Sequence, residues 1–482
     1  MLNAFKVVRD PIHMEIPIYP LEVLFMDTSV VQRLRKLSQL VGAEWVYPGA
    51  THTRFSHSIG TMHVAGMYAK RLFENDSAKI RLIRLAALLH DVAHGPFSHQ
   101  FDDTIYRKMG LKKGHDDYRE KLILSTLPSE VVERFLDISD PKFRRSVVED
   151  FEQTMGKFEN PERDFENLVR KILEIFRGEE EGSIEFNIVQ GPLGADRLDF
   201  VLRDSYHSGV RNYSTVALDR IVRNSYVKRI NGKEILCYDI KVMDDVYSFL
   251  FGRFMMYKNV YFHKTSRAVD LMIQELLNLA DEILNLQSMV EDPRKFLKLT
   301  DDYIFTMMKE MVEREGESDP RLRRVKELLR RIDRRDLWKM IAEYPLSTKG
   351  VDPGIFAESV GEKITSEIKS RLIELLESGK YDEDDEDILR DIVGNFNDYF
   401  RIDTPYRLTL FHPVEFDTTK VFLYDSKKDR IMSFSDFERK YPFLTTPTLL
   451  QIVRIYATRD IREILRKYSL IPEDNMNITT RW

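Results

Sequence analysis

The segment "HDVAHGPFSH", residues 90 to 99, carries three histidines and one aspartate directly after the apolar run "LIRLAALL". Seven of the eleven histidines of the chain, including these three, lie between residues 52 and 115. Imidazole and carboxylate groups together suit Zn, Fe, Mn, Ni or Co, and Mg or Mn are acceptable where oxygen ligands dominate. Because Cys237 is the only cysteine, a metal here must be bound by His, Asp or Glu. The segment therefore predicts chemistry at a divalent metal ion.

The helix that leads into this segment must end inside it. Gly95 and Pro96 interrupt the helical pattern just after His94. Adjacent helical side chains point about 100° apart, so His90 and Asp91 can bind one ion only near a helix end. His94 lies one turn after His90, within reach of a substrate at the ion. By itself an HD pair is weak evidence for a metal site, because the same pair also occurs as a surface helix cap.

Composition and charge limit the class of protein. The 482 residues are 43% hydrophobic and 32% charged, which is typical of a soluble globular protein with one large core or two to three domains. No apolar run is long enough for a membrane span or a signal peptide, so we expect a cytoplasmic protein without a membrane partner. A net charge of -6 gives no general attraction to nucleic acid, and no nucleic-acid partner is expected.

The elements that must position these residues are mainly helical. Apolar positions three and four apart predict helices over residues 20 to 290, including "VVQRLRKLSQL" (30–40) and "AVDLMIQELLNLADEIL" (268–284). Charged amphipathic helices follow to about residue 400, most clearly in "RLRRVKELLRRIDRRDLWKMI" (321–341). We predict a mainly α protein with a core at 1–290, a helical extension at 291–403 and a small α+β region at 404–482.

Beyond residue 404 the pattern changes to alternating β-type residues. "YRLTLFHPVEF" (406–416) and "KVFLYDSKKDRIMSF" (420–434) surround a polar turn and predict a hairpin. Ser435 with Glu438 predicts a capping box for one more helix. Two acidic segments, "RGEEEGSIE" (177–185) and "YDEDDEDILR" (381–390), are expected to be solvated loops or helix starts.

The wider set of motifs resembles a known family. "HTRFSHSIG" (52–60), "HDVAHGPFSH" and "GADRLDFVLRDSYHSG" (194–209) present H, then HD, then D, the ligand order of the HD-domain metal-dependent phosphohydrolases. Residues 10–60 and "RFMMYKNVYFHKTSRAVD" (253–270) are similar to one branch, the deoxynucleoside triphosphate (dNTP) triphosphohydrolases whose vertebrate members carry a sterile-alpha-motif domain. The resemblance runs from about residue 5 to about 285. We expect no sterile-alpha-motif domain ahead of the core.

The resemblance implies an HD-domain helical core, usually a homotetramer, that hydrolyses dNTPs to deoxynucleoside and inorganic triphosphate. It implies metal ligands at His57, His90, Asp91 and Asp196. A divalent metal at such a site activates a water for attack on the α-phosphorus. Our choice of general acid for the departing 5′ oxygen is His99, with Asp102 orienting its ring. His94 and His115 are expected in the same pocket as phosphate ligands or proton donors.

The resemblance also implies substrate contacts. The triphosphate contacts correspond to Arg54, Arg197, Arg253 and Lys264. Gln39 and Asp204 match groups that bind the sugar 3′ hydroxyl, and Leu40 and Tyr261 match those that crowd the 2′ position. One departure is Phe200, which stands where the vertebrate relatives have tyrosine, so one phosphate contact is in doubt. Any single arginine of this set could instead form an ordinary helix-face salt bridge.

A regulatory site is implied as well. Counterparts of residues that bind a guanine nucleotide or a dNTP activator between subunits are Lys6, Val7, Asp27, Gln32 and Arg35. The alternative is that residues 30–40 form a plain amphipathic helix, for which Asp27 is the N-terminal cap.

Two other functions remain open at this point. The metal site could act on another phosphoester, such as a nucleoside monophosphate or a cyclic nucleotide. Alternatively, a vestigial metal site could belong to a nucleotide-sensing or nucleic-acid-binding protein. Four further residues, His52, His63, Asp199 and His207, are expected to be structural.

Overall fold

A computed structural model describes residues 4–214, 216–230, 232–315, 318–347, 353–405, 420–440 and 450–471. Helices dominate these residues, and the predicted mainly α class is confirmed. Within these ranges no helix combines the length and the apolar composition that crossing a membrane requires.

Helices that pack around one apolar core form the body of the protein. They are α1 Pro20–Met26, α2 Ser29–Gln32, α3 Arg54–Leu72, α4 Ser77–Leu89, α5 His99–Phe101, α6 His115–Leu136, α7 Pro141–Met155, α8 Pro161–Arg177, α9 Ile184–Gln190, α10 Ala195–His207, α11 Leu218–Arg223, α12 Met243–Met256 and α13 Lys264–Leu284. Helix α4 lies deep in this core, and Leu85, Leu88 and Leu89 are fully buried. A helix buried on all sides fixes the position of the residues that follow it, beginning with His90.

Local sequence signals start several of these helices. A proline opens α7 and α8, and the preceding Asp140 and Asn160 accept hydrogen bonds from backbone N–H groups of the first turn. Such caps satisfy donors that have no partner within a helix, and proline fits its first position because it has no N–H to lose.

Two β-hairpins accompany the helical body, and the second of them lies in the region 20–290, where the sequence pattern predicted mainly helices. Strand β1 (Lys6–Asp10) pairs antiparallel with β2 (Met14–Ile18), and β3 (Ser225–Ile230) pairs antiparallel with β4 (Lys233–Asp239). In the turn of the first hairpin, Asp10 Oδ1 accepts hydrogen bonds from the backbone of Ile12 and His13 at 2.9 Å each. The hairpin thereby aims His13 toward α10.

The rest of the chain adds helices and two sheets. The helices are α14 Leu286–Glu291, α15 Pro293–Phe296, α16 Asp301–Glu315, α17 Pro320–Asp333, α18 Pro353–Ser378, α19 Glu386–Gly394, α20 Phe396–Tyr399, α21 Phe434–Lys440 and α22 Arg459–Lys467. The further strands are β5 Lys339–Ser347, β6 Arg401–Asp403, β7 Phe422–Asp425, β8 Arg430–Ser433 and β9 Leu450–Ala457. The sheet orders are β3-β4-β7-β8, with β4 and β7 parallel, and β5-β9-β6, which is antiparallel.

Some of the elements after residue 290 pack into the apolar core of the helical body, and others form a separate core. Leu423 and Tyr456 belong to the same buried cluster as the helical body, whereas Ile368 and Ile455 belong to a second, smaller cluster. The domain boundaries near residues 290 and 403 stay predictions.

Two predicted helices are shorter than their patterns. The helix predicted over 321–341 ends at Asp333, and the chain continues as β5, because Ile341 and Ala342 are buried beside β9. The helix predicted over 30–40 ends at Gln32, followed by a short 3-10 turn. There the buried Arg33 donates to the carbonyls of Leu299 and His94 at 2.8 and 2.7 Å, and these tertiary bonds outweigh local propensity.

The C-terminal predictions are confirmed in part. Residues 420–434 contain the β7–β8 hairpin, whereas the predicted strand at 406–416 lies outside the described residues. The predicted capping box of Ser435 and Glu438 is wrong by two residues. Helix α21 begins at Phe434, and Ser433 Oγ accepts from Asp436 N at 3.1 Å. The acidic segments at 177–185 and 381–390 are a turn and a helix start, as expected.

Candidate active site

Three predicted metal ligands converge from three helices. His57 lies in the first turn of α3, His90 caps the C-terminus of α4, and Asp196 lies in the first turn of α10. Oδ1 of Asp196 is 3.1 Å from His57 Nε2 and 3.7 Å from His90 Nε2. One ligand atom of each residue lies within 4.8 Å of the ligand atoms of the other two, a spacing that suits a single ion.

The histidine tautomers suit metal binding. His90 Nδ1 donates to the Ala87 carbonyl at 2.8 Å, which leaves Nε2 as a lone-pair acceptor. That Nε2 is buried and has no hydrogen-bond partner within the described part of the chain. His57 Nδ1 lies 2.8 Å from Asp199 Oδ2, so this nitrogen donates and Nε2 faces Asp196. A neutral imidazole held by a carboxylate or carbonyl at its far nitrogen is the usual arrangement around bound metals.

The electrostatics of the cluster favour positive charge. Burial alone would lower the pKa of His57, but its hydrogen bonds with Asp196 and Asp199 outweigh burial and raise the pKa to about 10. The pKa of Asp196 is correspondingly lowered despite burial, through His57 and His90. The carboxylates that raise the pKa of His57 would equally stabilise a divalent cation, which would take the place of the proton on Nε2. The donor set and its charge therefore fit a divalent metal ion.

Asp91, the fourth predicted ligand, stands at the edge of this cluster. Its Oδ1 lies 3.2 Å from His90 Nε2, and its Oδ2 lies 3.8 Å from His57 Nε2. The same Oδ2 forms an ion pair with Arg54 Nη1 at 2.7 Å. Arg54 is buried at this position, so a predicted triphosphate contact and a predicted metal ligand are direct neighbours.

A second cluster holds the remaining catalytic candidates. Asp102 Oδ2 lies 3.0 Å from His99 Nδ1 and 2.9 Å from His115 Nδ1. Asp102 opens a π-helical turn after α5, a rare conformation found mostly at functional positions. The His94 ring stacks on His115 with centroids 3.5 Å apart. The predicted contact between His99 and Asp102 is therefore present, and the same carboxylate also binds His115.

Protonation differs among these imidazoles. Burial opposes charge on His115, but Asp102 and Asp116 outweigh it and raise its pKa to about 9. Burial, with the positive charges of Arg54 and His115, holds the pKa of His94 well below its usual value. His94 is thus neutral beside a cationic His115. Its Nε2 lies 3.5 Å from Asp91 Oδ1, so His94 joins the second cluster to the metal ligands.

The predicted sugar-binding residues meet at α10 and α12. Tyr261 donates its hydroxyl to Asp204 Oδ2 at 2.6 Å, and His52 Nε2 lies 2.7 Å from Asp204 Oδ1. Tyr261 ends a second π-helical turn, Tyr257–Tyr261, and packs with Leu40 in one small apolar cluster. Gln39 Oε1 is buried without a hydrogen-bond partner in the residues that the structure describes. An unpartnered buried acceptor is costly unless a ligand supplies the donor.

Besides Arg54 on α3, the predicted phosphate-binding cations lie on α10, α12 and α13. Arg197 Nη1 donates to the Gly191 carbonyl at 2.8 Å. Arg253 is buried with its guanidinium 4.9 Å from the Tyr257 ring, and Lys264 is the first residue of α13. Burial lowers the pKa of Arg253, and the charge on Arg197 lowers it further. Because the charge of Arg197 disfavours the charge of Arg253, an anion bound at both would stabilise them.

The predicted activator residues lie on the N-terminal segment. Lys6 and Val7 are on β1 and exposed. Gln32 Nε2 donates to the carbonyl of Met26, and Arg35 Nε donates to Gln32 Oε1 at 2.8 Å. The alternative role of Asp27 as an N-terminal cap is wrong, because Asp27 closes α1 and Thr28 precedes α2.

The structure adds residues that sequence reasoning did not place in the site. Asp199, expected to be structural, contacts His57 directly, His13 Nε2 at 2.6 Å and Arg203 Nε at 2.8 Å. Its position three residues after Asp196 was a usable signal, because residues three apart share a helix face. For His13 the sequence held no comparable signal.

Comparison with known proteins agrees with this arrangement. Residues 54–136 match the HD domain, and residues 218–369 match the HD associated region. The chain is 30% identical over 356 residues to the deoxynucleoside triphosphate triphosphohydrolase SAMHD1 homolog of Dictyostelium discoideum, covering 72% of this chain and 62% of that protein. It is 28% identical to SAMHD1 of Gallus gallus, covering 71% and 56%. An uncharacterized protein of Methanocaldococcus jannaschii is 29% identical, with 77% and 66% covered.

The chain thus spans about six tenths of the length of the named relatives. The matched HD domain, residues 54–136, contains His57, His90, Asp91 and the second imidazole cluster. This chain belongs to the HD-domain family and is similar to its SAMHD1-type deoxynucleoside triphosphate triphosphohydrolases.

Proposed function

We propose that this protein hydrolyses dNTPs to deoxynucleoside and inorganic triphosphate in a metal-dependent reaction. The observation that carries the proposal is the joining of two clusters: His94 lies 3.5 Å from the candidate ligand Asp91 and stacks on His115. Attack on a phosphorus and protonation of its leaving oxygen need groups on both sides of the phosphate. The names of the related proteins support the same substrate class.

His57, His90, Asp91 and Asp196 would hold the ion. When bound, a divalent ion supplies Lewis-acid stabilisation of phosphate charge and an activated water. Asp199 holds His57 in the tautomer that turns Nε2 toward the ion. His94 is neutral and buried between the two clusters, so it lines the site with a polar side chain that adds no positive charge near the ion.

His99 protonates the departing 5′ oxygen. Its side chain is 65% exposed and free to meet a substrate, while Nδ1 is held by Asp102. An imidazole oriented through one nitrogen donates from the other. His115, which keeps its proton at neutral pH because of Asp102, places positive charge beside the phosphate chain.

Arg54, Arg197, Arg253 and Lys264 bind the triphosphate, which carries about four negative charges. The mutual repulsion of Arg197 and Arg253 is relieved when an anion lies between them. Arg54 would form ion pairs with both Asp91 and the phosphates.

The sugar is recognised through its 3′ hydroxyl and by exclusion at 2′. Asp204, held by His52 and Tyr261, accepts from the 3′ hydroxyl, and the unpartnered Gln39 contributes a second polar contact. Tyr261 and Leu40 pack against the same small apolar cluster and close the 2′ side, so ribonucleotides are excluded by steric clash.

Activity would be regulated by a second nucleotide between subunits of a homotetramer. The supporting features are the exposed cation Lys6 beside Val7 on β1, together with the Asp27, Gln32 and Arg35 group. A dimer of dimers is the natural closed form for such an assembly.

The test is product analysis with dGTP and dAMP as substrates, each with Mn, Mg or Fe. Release of triphosphate from dGTP supports the proposal, whereas release of orthophosphate from dAMP alone supports a monophosphate phosphohydrolase. Asp196→Ala, and His90→Ala together with Asp91→Ala, should abolish turnover and lower metal content in folded protein. Turnover retained in either variant contradicts the metal assignment, and a wild-type protein without bound metal or turnover supports the vestigial-site alternative.

A further inference from the structure

The turn that connects the two clusters adopts an unfavourable backbone conformation. Phe97 and Ser98, between the neutral His94 and the proposed acid His99, have φ values of 59° and 54°. Side chains other than glycine rarely adopt this left-handed region, and such residues persist only where surrounding contacts impose them. Both residues are almost fully buried. The contacts that hold this turn therefore decide where His99 points.

One carboxylate makes the central contact. Asp301 Oδ1 accepts from the Phe97 backbone N–H at 2.6 Å, and Oδ2 accepts from the Ser38 backbone N–H at 2.8 Å. Asp301 is the first residue of α16 and comes from the part of the chain to which the sequence assigned no role. Its two donors, Phe97 and Ser38, lie 59 positions apart in sequence, yet a single side chain binds both.

The two segments that Asp301 holds are both next to proposed substrate contacts. Ser38 precedes Gln39 and Leu40, which are proposed to meet the sugar, and Phe97 lies two residues before His99. A direct bond also joins the segments, because Ser98 Oγ donates to the Ser38 carbonyl at 2.6 Å. Arg54 Nε donates to the same Ser98 Oγ at 3.0 Å.

Helix α16 contacts the turn at a second point. Phe305, one helical turn after Asp301, packs edge-on against the Phe97 ring with centroids 5.2 Å apart. The contact is independent of the carboxylate and comes from the same helix face. The turn is thus held by a polar and an apolar contact from outside the matched HD domain, which ends at residue 136.

We propose that Asp301 is a positioning residue for the reaction, which fixes His99 relative to the sugar-binding segment by holding Phe97 and Ser38 through one carboxylate. The inference rests on the proposed function, because it assigns His99 the transfer of a proton to the 5′ oxygen. Asp301 itself touches no proposed substrate atom or metal ligand. It acts through the backbone of the turn.

Asp301→Asn is the informative variant. It preserves the size of the side chain, but its NH2 group faces one of the two backbone N–H donors and cannot accept from it. Asp302→Asn is the matched control, because Asp302 is the exposed neighbour on the same helix turn. We expect kcat for dGTP to fall by about 10-fold to 100-fold in Asp301→Asn, with metal content and KM unchanged, and no change in the control.

A substrate with a good leaving group separates positioning from a general structural effect. In p-nitrophenyl triphosphate the α-phosphorus bond to the phenol oxygen breaks without protonation, so a misplaced His99 matters little. We expect Asp301→Asn to lose less than about threefold on this substrate. Equal losses on both substrates, or wild-type kcat on dGTP, would overturn the proposal. If the wild-type protein rejects the analogue, the kcat and KM split on dGTP decides, and a change in KM alone counts against it.

A second variant covers the case in which Asp301→Asn does not fold. Phe305→Leu removes only the ring against Phe97 and should show a smaller loss of kcat with the same difference between the two substrates. A Phe305→Leu protein with equal losses on both substrates contradicts the role of α16. Wild-type protein that releases no triphosphate from dGTP contradicts the proposed function instead, and the two failures are distinct.

Discussion

The Asp199 carboxylate lies directly behind the His57 ring, with Oδ2 2.8 Å from Nδ1, while Nε2 on the opposite edge lies 3.1 Å from Asp196. His13 and Arg203 bind the same carboxylate at 2.6 and 2.8 Å. Asp199 is therefore held rigidly, and through it the first hairpin of the chain is connected to a candidate metal ligand.

Asp199→Asn should weaken divalent-metal affinity by about 10-fold to 100-fold, because an amide cannot hold His57 and Arg203 as a carboxylate does. The measurement is titration of the metal-free protein with Co²⁺, followed by its visible absorption. Asp137→Asn, at an exposed helix end, is the control. Unchanged affinity in Asp199→Asn would return Asp199 to the structural role that the sequence suggested.

Leu40→Ala should raise the rate of GTP hydrolysis relative to dGTP by about tenfold, because it opens the 2′ side of the pocket. Tyr261→Phe keeps the ring and removes the hydroxyl that binds Asp204 at 2.6 Å. It should lower kcat/KM for dGTP by about fivefold without changing the GTP to dGTP ratio. The check is steady-state kinetics with both nucleotides, and a wild-type protein that cleaves GTP as fast as dGTP refutes the steric explanation.

Arg35→Ala and Asp27→Ala should abolish activation by GTP or dGTP while metal content stays intact. The Arg35 guanidinium lies 3.5 Å from the centre of the Phe55 ring, at the start of the helix that carries His57. A nucleotide that binds Arg35 could thus act on α3, provided that its affinity differs between two states of the protein.

Activation and assembly are measured together, by release of product from dATP and by sedimentation, each with and without GTP. Lys36→Ala is the matched control, because Lys36 is the exposed neighbour in the same turn. A constant oligomer with an unchanged rate in the wild-type protein would reduce Arg35 to a surface charge.

Stability should depend on pH through Asp301. Burial raises its pKa from 3.8 to about 7, against the two backbone hydrogen bonds from Ser38 and Phe97, which lower it. The folded protein therefore binds a proton between pH 4 and 7 that the unfolded chain releases, so this contribution to stability is full below pH 4 and lost as pH rises through 7. Asp301→Asn lacks this contribution.

Denaturant unfolding at pH 5 and at pH 8 measures the difference. The free energy of unfolding of the wild-type protein, minus that of Asp301→Asn, should be larger at pH 5. A difference that is constant or larger at pH 8 would show that Asp301 stays ionised throughout.

Much of the site was predictable from the sequence because its signals are local. The helix before the motif was predicted to run to His94, just before the Gly95–Pro96 break, whereas α4 ends five residues earlier, at Leu89, with His90 as its C-cap. Residue type limits the ligands to His and Asp. The order of H, HD and D implied that His57 and Asp196 meet His90, and the structure brings these three together. Helix α13 likewise begins and ends around its apolar pattern.

Other features depend on contacts between residues far apart in sequence. Residues 30–40 have a helical pattern, yet the helix stops at Gln32 because Arg33 is drawn to carbonyls more than fifty positions away. The helix predicted over 321–341 ends early and its last residues belong to strand β5, because β9, over a hundred residues later, pairs with that strand. The apolar periodicity of a segment shows only which of its sides is apolar. It gives no information about residues far away in the sequence that will contact the segment.

The sequence by itself determined the helical class and the chemistry of the ligands, because each depends on neighbouring residues. Only the tertiary structure decided which carboxylate orients His57 and which one holds the left-handed turn before His99. Asp199 and Asp301 are ordinary aspartates in sequence, and their roles arise from donors that the fold brings within 3 Å.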